Sequence, residues 1–231
     1  MKRLLLILLL VPAALPAADF DLLVKGARVV DGTGNPWYRA DVGVLDGKIA
    51  AIGSLGQLSA TRVVEARELV LAPGFIDVHT HVEDEVENFP DADNFLRDGV
   101  TSIVTGNCGG SKTDLAAFFS RLEELGLGPN VASLIGHNSV RRKVMGSENR
   151  PAEAQEIAKM QELVDTAMRD GAVGLSTGLI YVPGTYAGTD EVTAGSSWKT
   201  TRSRASGRAR SSGISVSSDR AAPFPSFLRG A

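Results

Sequence analysis

Pro73-Gly74-Phe75-Ile76-Asp77-Val78-His79-Thr80-His81 decides how the rest of this chain is read. An apolar run in strand-forming residues ends in Asp77, His79 and His81. Side chains on a strand alternate faces, so these three share one side while Val78 and Thr80 take the other. Two neutral imidazoles two residues apart on one face are a metal-ligand spacing, suited to zinc and similar ions. A solitary histidine there would be read as a hydrogen-bonded strand residue, whereas the pair is read as ligands.

Toward the C-terminus the pattern alternates between strands and helices. Residues 75–78 read as a buried strand and residues 91–98 as a short helix closed by Gly99. Residues 101–105 form the next strand. Asp114 then caps a helix whose Leu115, Phe118, Phe119, Leu122 and Leu125 fall at helical spacing, with Gly126 ending it. At that spacing the two phenylalanines are core rather than cofactor contacts. Residues 131–135 read as a third strand. Pro151 opens a helix in which Ile157, Met160, Leu163, Val164 and Ala167 line one face before Gly171, and residues 172–175 make a fourth strand. Strand and helix repeating through short loops imply a parallel sheet, with chemistry gathered at the strand ends. Thr189-Asp190-Glu191 has the residues of a helix start, but no helical pattern continues from it.

Upstream of Pro73, residues 20–71 hold short β runs punctuated by turn residues. Among these, Asp46-Gly47 is a hairpin signal, and the whole reads as a small all-β layer. The first 18 residues place Lys2 and Arg3 before an apolar run and Pro16-Ala17-Ala18, the layout of a cleaved signal peptide. Export to a periplasmic or extracellular space is therefore expected. The apolar run is shorter than the ~20 residues a span requires, and no later segment reads as transmembrane. With 231 residues, 43% of them hydrophobic, the chain has material for an ordinary core and is not disordered by composition. The formal charge of −3 conceals an acidic middle, because the stretch from Gly195 onward carries seven basic residues against one acid, Asp219. That stretch also holds ten serines and six arginines among its 37 residues, without helical or strand period, and is expected to be a disordered tail. Scattered arginines without a folded platform do not make a nucleic-acid site.

The lone cysteine, Cys108, excludes an intrachain disulfide. It sits in Gly106-Asn107-Cys108-Gly109-Gly110, directly after the second strand of the alternating region. A single cysteine is ordinarily a small buried hydrophobe. Beside His-x-His in a parallel sheet, on a glycine-shaped turn, it becomes a third candidate ligand, since a metal-bound thiol is deprotonated outright. The turn lacks the Lys and Ser/Thr of a phosphate loop. His137, after the third strand, is open between an ordinary hydrogen-bonded loop histidine and a substrate-facing one. Tyr181 follows the fourth strand on a glycine- and proline-shaped loop, where it either binds substrate or covers the sheet end. The acids Glu83, Asp84, Glu85 and Glu87 read as a solvated loop rather than a hard-cation site.

These residues together resemble the amidohydrolase superfamily, and within it the D-aminoacylase (N-acyl-D-amino-acid deacylase) branch. The likeness rests on residues 73–81, on Gly99-Val100-Thr101 through Gly106-Asn107-Cys108-Gly109, on Gly136-His137, and on Gly174-Leu175-Ser176-Thr177-Gly178 with Tyr181, Pro183 and Gly184. The Gly-Asn-Cys-Gly cysteine singles out the branch. The resemblance implies an α/β fold: part of a composite β-sandwich over residues 19–72, then the first half of a TIM-type (β/α)8 metal-dependent hydrolase barrel over residues 73–194. It implies His79 and His81 as ligands of one metal position and Cys108 as a ligand of the zinc that the family binds tightly, with room in the family for a weaker second site. Tyr181, and with less support His137, would be substrate-binding.

The implied reaction is metal-assisted hydrolysis of the linear amide of an N-acyl-D-amino acid, a small-molecule substrate, with a carboxylate shuttling the proton to the leaving amine. The family also draws two further histidines and a catalytic aspartate from later strands. This sequence has no histidine after His137, so no catalytic residue is assigned and no unaided hydrolysis is expected. A coding sequence read out of frame beyond about Ala194 would account for the tail. The alternatives carried beside this are an exported non-catalytic metal-binding protein and another amidohydrolase, such as a cyclic amidase. Oligomeric state is not legible.

Overall fold

The computed structural model describes residues 18–196. The expected signal peptide over residues 1–18 and disordered tail over residues 195–231 therefore lie outside the described residues, apart from Ala18 and from Gly195 and Ser196, which end a helix. The chain divides between Pro73 and Gly74 into two compact units.

The first unit is one sheet built from β1 (Phe20–Val29), β2 (Tyr38–Leu45), β3 (Lys48–Gly53), β4 (Ala60–Glu65) and β5 (Val70–Leu71). Its order is β3-β2-β1-β4, with β5 also pairing β1. The β2–β3 hairpin turns on Asp46 (φ 50°) and Gly47 (φ 69°), the two left-handed residues that a tight two-residue hairpin demands. Strand β1 runs through a register irregularity between Val24 and Ala27, where the Gly26 N–H leaves the ladder and donates to Asp41 Oδ1 at 2.7 Å. Ala27, Val29, Ala40, Val42 and Ala66 form the core beneath the sheet.

The second unit runs β6 (Phe75–Asp77), α1 (Glu85–Asn88), α2 (Asp93–Arg97), β7 (Val100–Thr105), α3 (Leu115–Leu125), β8 (Asn130–Ser133), β9 (Ile135–Gly136), α4 (His137–Met145), α5 (Ala154–Arg169), β10 (Leu175–Ser176) and α6 (Thr189–Ser196). Every strand pair in it is parallel: β6 with β7, β7 with β8, and β9 with β10. The third predicted strand changes partner midway. Leu134 N–H still bonds Thr105 O at 2.9 Å, while Ile135 N–H bonds Gly174 O at 2.9 Å. One continuous segment thus joins β7 on one side to β10 on the other.

Helices α3 and α5 form where the periodicity placed them, while α1 forms in the acidic stretch read as a loop. Asp114 Oδ1 accepts the Ala117 N–H at 3.0 Å and caps α3, and Glu153 with Glu156 closes a reciprocal capping box on α5. Their apolar stripes, Leu115, Phe118 and Leu122 from α3 and Met160, Val164 and Ala167 from α5, meet Ile135, Val140 and Met145 in one core. Among the described residues no helix is long and apolar enough to cross a membrane.

Three expectations are corrected. The strand at residues 75–78 is not buried: Phe75, Ile76 and Val78 are 63%, 64% and 66% exposed, because β6 is the edge of its sheet and bonds only to β7. Helix α4 has no counterpart in the sequence reading. It buries polar His137, Asn138 and Arg141 along with Val140 and Met145, so it shows no apolar stripe. Helix α6 does form after Thr189, because its Glu191 is anchored by buried partners rather than by an apolar face.

Candidate metal centre

The candidate ligands lie just past two adjacent parallel strands. Beyond β6 the backbone of residues 78–81 stays extended alongside the end of β7. Thr80 is buried, its N–H and Oγ1 both donating to Val104 O, at 3.1 and 2.9 Å. With Thr80 turned inward, alternation turns His79 and His81 outward, where their rings meet edge to face at a centroid distance of 5.4 Å. Asp77 lies on the same stretch but serves locally, its Oδ1 accepting the His79 N–H at 3.1 Å.

Cys108 arrives from the turn after β7. Its backbone is left-handed, at φ 53°, between Gly106 at φ 80° and Gly109 at φ 79°. Three successive reversals of this kind are what carry the thiol back toward β6 instead of on into α3. The Gly106 N–H donates to Glu83 Oε1 at 2.7 Å, and the buried Asn107 amide donates to Val104 O at 3.0 Å. Gly178 must be glycine, since a Cβ there would stand 1.9 Å from Cys108 O. Cys108 Sγ lies 3.4 Å from His79 Nε2, and donor atoms of His79, His81 and Cys108 all fall within 4.8 Å of one another. Two donors sharing one tetrahedral zinc, with Zn–S about 2.3 Å and Zn–N about 2.0–2.1 Å, stand roughly 3.5 Å apart. The Cys108–His79 pair stands at that separation, and two imidazoles with a thiol are donors that suit zinc, the soft sulfur disfavouring magnesium or calcium.

A cleft of about 260 Å³ opens beside these donors, lined by His81, Asn107, Cys108, Asn138, Arg142 and Tyr181 among others. Arg142 Nη2 donates to Val182 O at 2.9 Å and Asn138 Nδ2 to Gly178 O at 3.0 Å, so α4 holds the loop that carries Tyr181.

This chain is a homologue of the D-aminoacylases. It is 39% identical over 196 residues to the D-aminoacylase of Alcaligenes xylosoxydans xylosoxydans, a match covering 75% of this chain and 40% of that protein. A solved D-aminoacylase studied for its binuclear metal centre superposes with a TM-score of 0.72 at 34% identity, over 77% of this chain and 42% of that one. The N-acyl-D-glutamate deacylase of Bordetella bronchiseptica, solved with zinc and a phosphonate inhibitor, gives 0.72 at 36% identity, over 76% and 42%. No protein-family model matches. The chain spans about 40% of the length of the curated relatives it matches. Its α/β architecture is that of the amidohydrolase structures.

In this D-aminoacylase homologue His79, His81 and Cys108 come together, and Tyr181 lines the cleft beside them. His137 does not face it. Its side chain is 4% exposed and its Nε2 lies 2.8 Å from Glu191 Oε1. The opposite oxygen of Glu191 accepts from fully buried Arg141. Arg141 in turn donates to Arg150 O at 2.5 Å, and Arg150 grips Glu156 through two hydrogen bonds of 2.8 and 2.7 Å. That grip, with the Glu153 N–H, holds the Glu156 carboxyl down at about 2. His137 is thus one end of a polar chain that ties α4, α5 and α6. The acidic run is likewise engaged rather than merely solvated. Lys112 donates to Asp84 at 2.5 Å and pairs with Glu87 at 3.3 Å, Asp84 being the main reason its ammonium pKa is raised.

Arg142, Asn138 and Asn107 were missed from sequence. Their only signal is position just beyond strand ends, a property shared with many loop residues that do nothing at a site.

Proposed function

We propose that this chain supplies the metal-holding part of a zinc-dependent hydrolase acting on the linear amide of N-acyl-D-amino acids. The observation that carries the proposal is the convergence of His79, His81 and Cys108, three soft or borderline donors of which His81 and Cys108 line one cleft. The D-aminoacylase and N-acyl-D-glutamate deacylase relatives support the substrate class. Zinc held there would polarise the amide carbonyl and render water nucleophilic near neutral pH. His79 and His81 would hold it as neutral imidazoles and Cys108 as thiolate, while Tyr181 and Arg142 flank the cleft where the substrate carboxylate would lie.

The same reading holds that these 231 residues alone do not turn over. No Asp or Glu is among the residues lining the cleft. The one histidine outside the cluster is committed to Glu191. A proton shuttle to the leaving amine is therefore lacking among the described residues. Export belongs to this reading too, supported by Lys2-Arg3, the apolar run and Pro16-Ala17-Ala18.

The test is zinc titration of the purified chain, followed by incubation with N-acetyl-D-methionine and chiral detection of free D-methionine. One equivalent of zinc bound through Cys108 without release is the expected result. Failure to bind zinc would overturn the metal assignment. Release above that given by free zinc would overturn the claim of inactivity.

A further inference from the structure

We propose that Ser176 is a positioning residue for the Cys108 thiol, and that one hydroxyl sets the geometry in which the sulfur meets its metal. The proposal rests on the metal-site reading above. Ser176 ends β10, two strand positions across the sheet from the Cys108 turn. Its Oγ donates to Gly106 O at 2.5 Å and accepts the Gly109 N–H at 3.0 Å. A serine hydroxyl offers one donor and acceptor lone pairs, and both roles are taken here by the two residues that bracket Asn107-Cys108.

The clamp matters because the turn it closes is strained. Cys108 is held in the left-handed region, where a residue with a Cβ is strained and persists only when its surroundings over-determine it. Those surroundings include Glu83, whose Oε1 accepts the Gly106 N–H at 2.7 Å, and Ser139, whose N–H donates to Gly109 O at 3.1 Å. Ser176 ties both ends of the turn, Asn107 anchors its inner side on Val104 O, and the bare backbone of Gly178 backs Cys108 O. Of these, Ser176 alone bonds to both flanks. Without its hydroxyl the Gly109 N–H loses its partner, and the turn is free to relax toward right-handed backbone, which swings Sγ off its 3.4 Å approach to His79 Nε2. Groups that orient a ligand without touching the metal typically change metal affinity by roughly 10–100-fold.

Cobalt(II) reports on the sulfur directly, through the charge-transfer absorption of a cobalt–thiolate bond. In S176A, zinc affinity measured by competition with a chromophoric chelator should fall roughly 10–100-fold, with the cobalt–thiolate band weakened, while S176T retains both. The metal-free melting transition serves as the fold control. S176A binding zinc within about twofold of the parent chain, with the cobalt band intact, would overturn the proposal. Absence of the band in the parent chain itself would overturn the metal-site reading, and is thereby distinguished. Should S176A lose its melting transition, amide hydrogen exchange in the unaltered chain decides. The Gly109 N–H must be protected without metal, and free exchange there would overturn the clamp.

Discussion

Three histidines in this chain occupy two opposite environments. His79 and His81 stand exposed past the end of an edge strand, facing each other and a thiol, with no carboxylate claiming their rings. His137 is sealed between α4 and α6, its Nε2 paired with Glu191, which also takes Arg141, while its buried Nδ1 has no hydrogen-bond partner among the described residues. A ligand imidazole must keep a nitrogen lone pair free toward a common point. The rings of His79 and His81 face each other and a thiol, whereas that of His137 faces a buried carboxylate.

The largest effect should come from the sealed side. Removing the carboxylate in Glu191→Ala leaves buried Arg141 uncompensated, a change of about 3–5 kcal/mol in folding stability. Chemical denaturation should record that loss while zinc affinity per folded molecule stays the same. A fall in affinity instead would mean the two histidine environments are coupled.

On the open side the sign reverses. Cys108→Ser should cost more than about 100-fold in zinc affinity, above about 2.7 kcal/mol, yet shift metal-free stability by less than about 1 kcal/mol. Isothermal titration and thermal melting on the same sample measure both. A large metal-free loss would make Cys108 a packing residue. A smaller effect is expected at the α3 cap, where Asp114→Ala removes the acceptor of the Ala117 N–H and should lower stability by about 1 kcal/mol without touching zinc binding.

The smallest effect is a pH dependence. Glu156 is depressed from 4.5 to about 2 by Arg150 and by the Glu153 N–H. Because the folded pKa is the lower one, its contribution is fully present above 4.5 and is lost as pH falls toward 2. Stability should therefore decline across that window, and Glu156→Gln should flatten the decline. Both partners are partly exposed, so raising the salt concentration should weaken the effect.

Much of the frame was legible in the sequence. Asp46-Gly47 named a hairpin, Asp114 a cap, and the stripes of α3 and α5 a core, because each depends on residues within one or two turns of one another. His79, His81 and Cys108 were legible as a set because two parallel strands bring their C-terminal ends together. What escaped was α4, whose buried face is polar, and α6, which is held by an ion pair rather than an apolar stripe. Periodicity reads only apolar faces, and a buried Arg141 looks like a surface arginine until its partner is seen 50 residues away.

By itself the sequence determined an alternating α/β region with two imidazoles and one thiol at neighbouring strand ends. Strand alternation and parallel order place those side chains with no further information. Only the tertiary structure decided that His137 is buried against Glu191, that β6 lies exposed at an edge, and that Ser176 bonds both flanks of the cysteine turn from β10. Those outcomes depend on partners tens of residues distant, where hydrogen-bond satisfaction and burial, not local propensity, select among side chains that look alike on the chain.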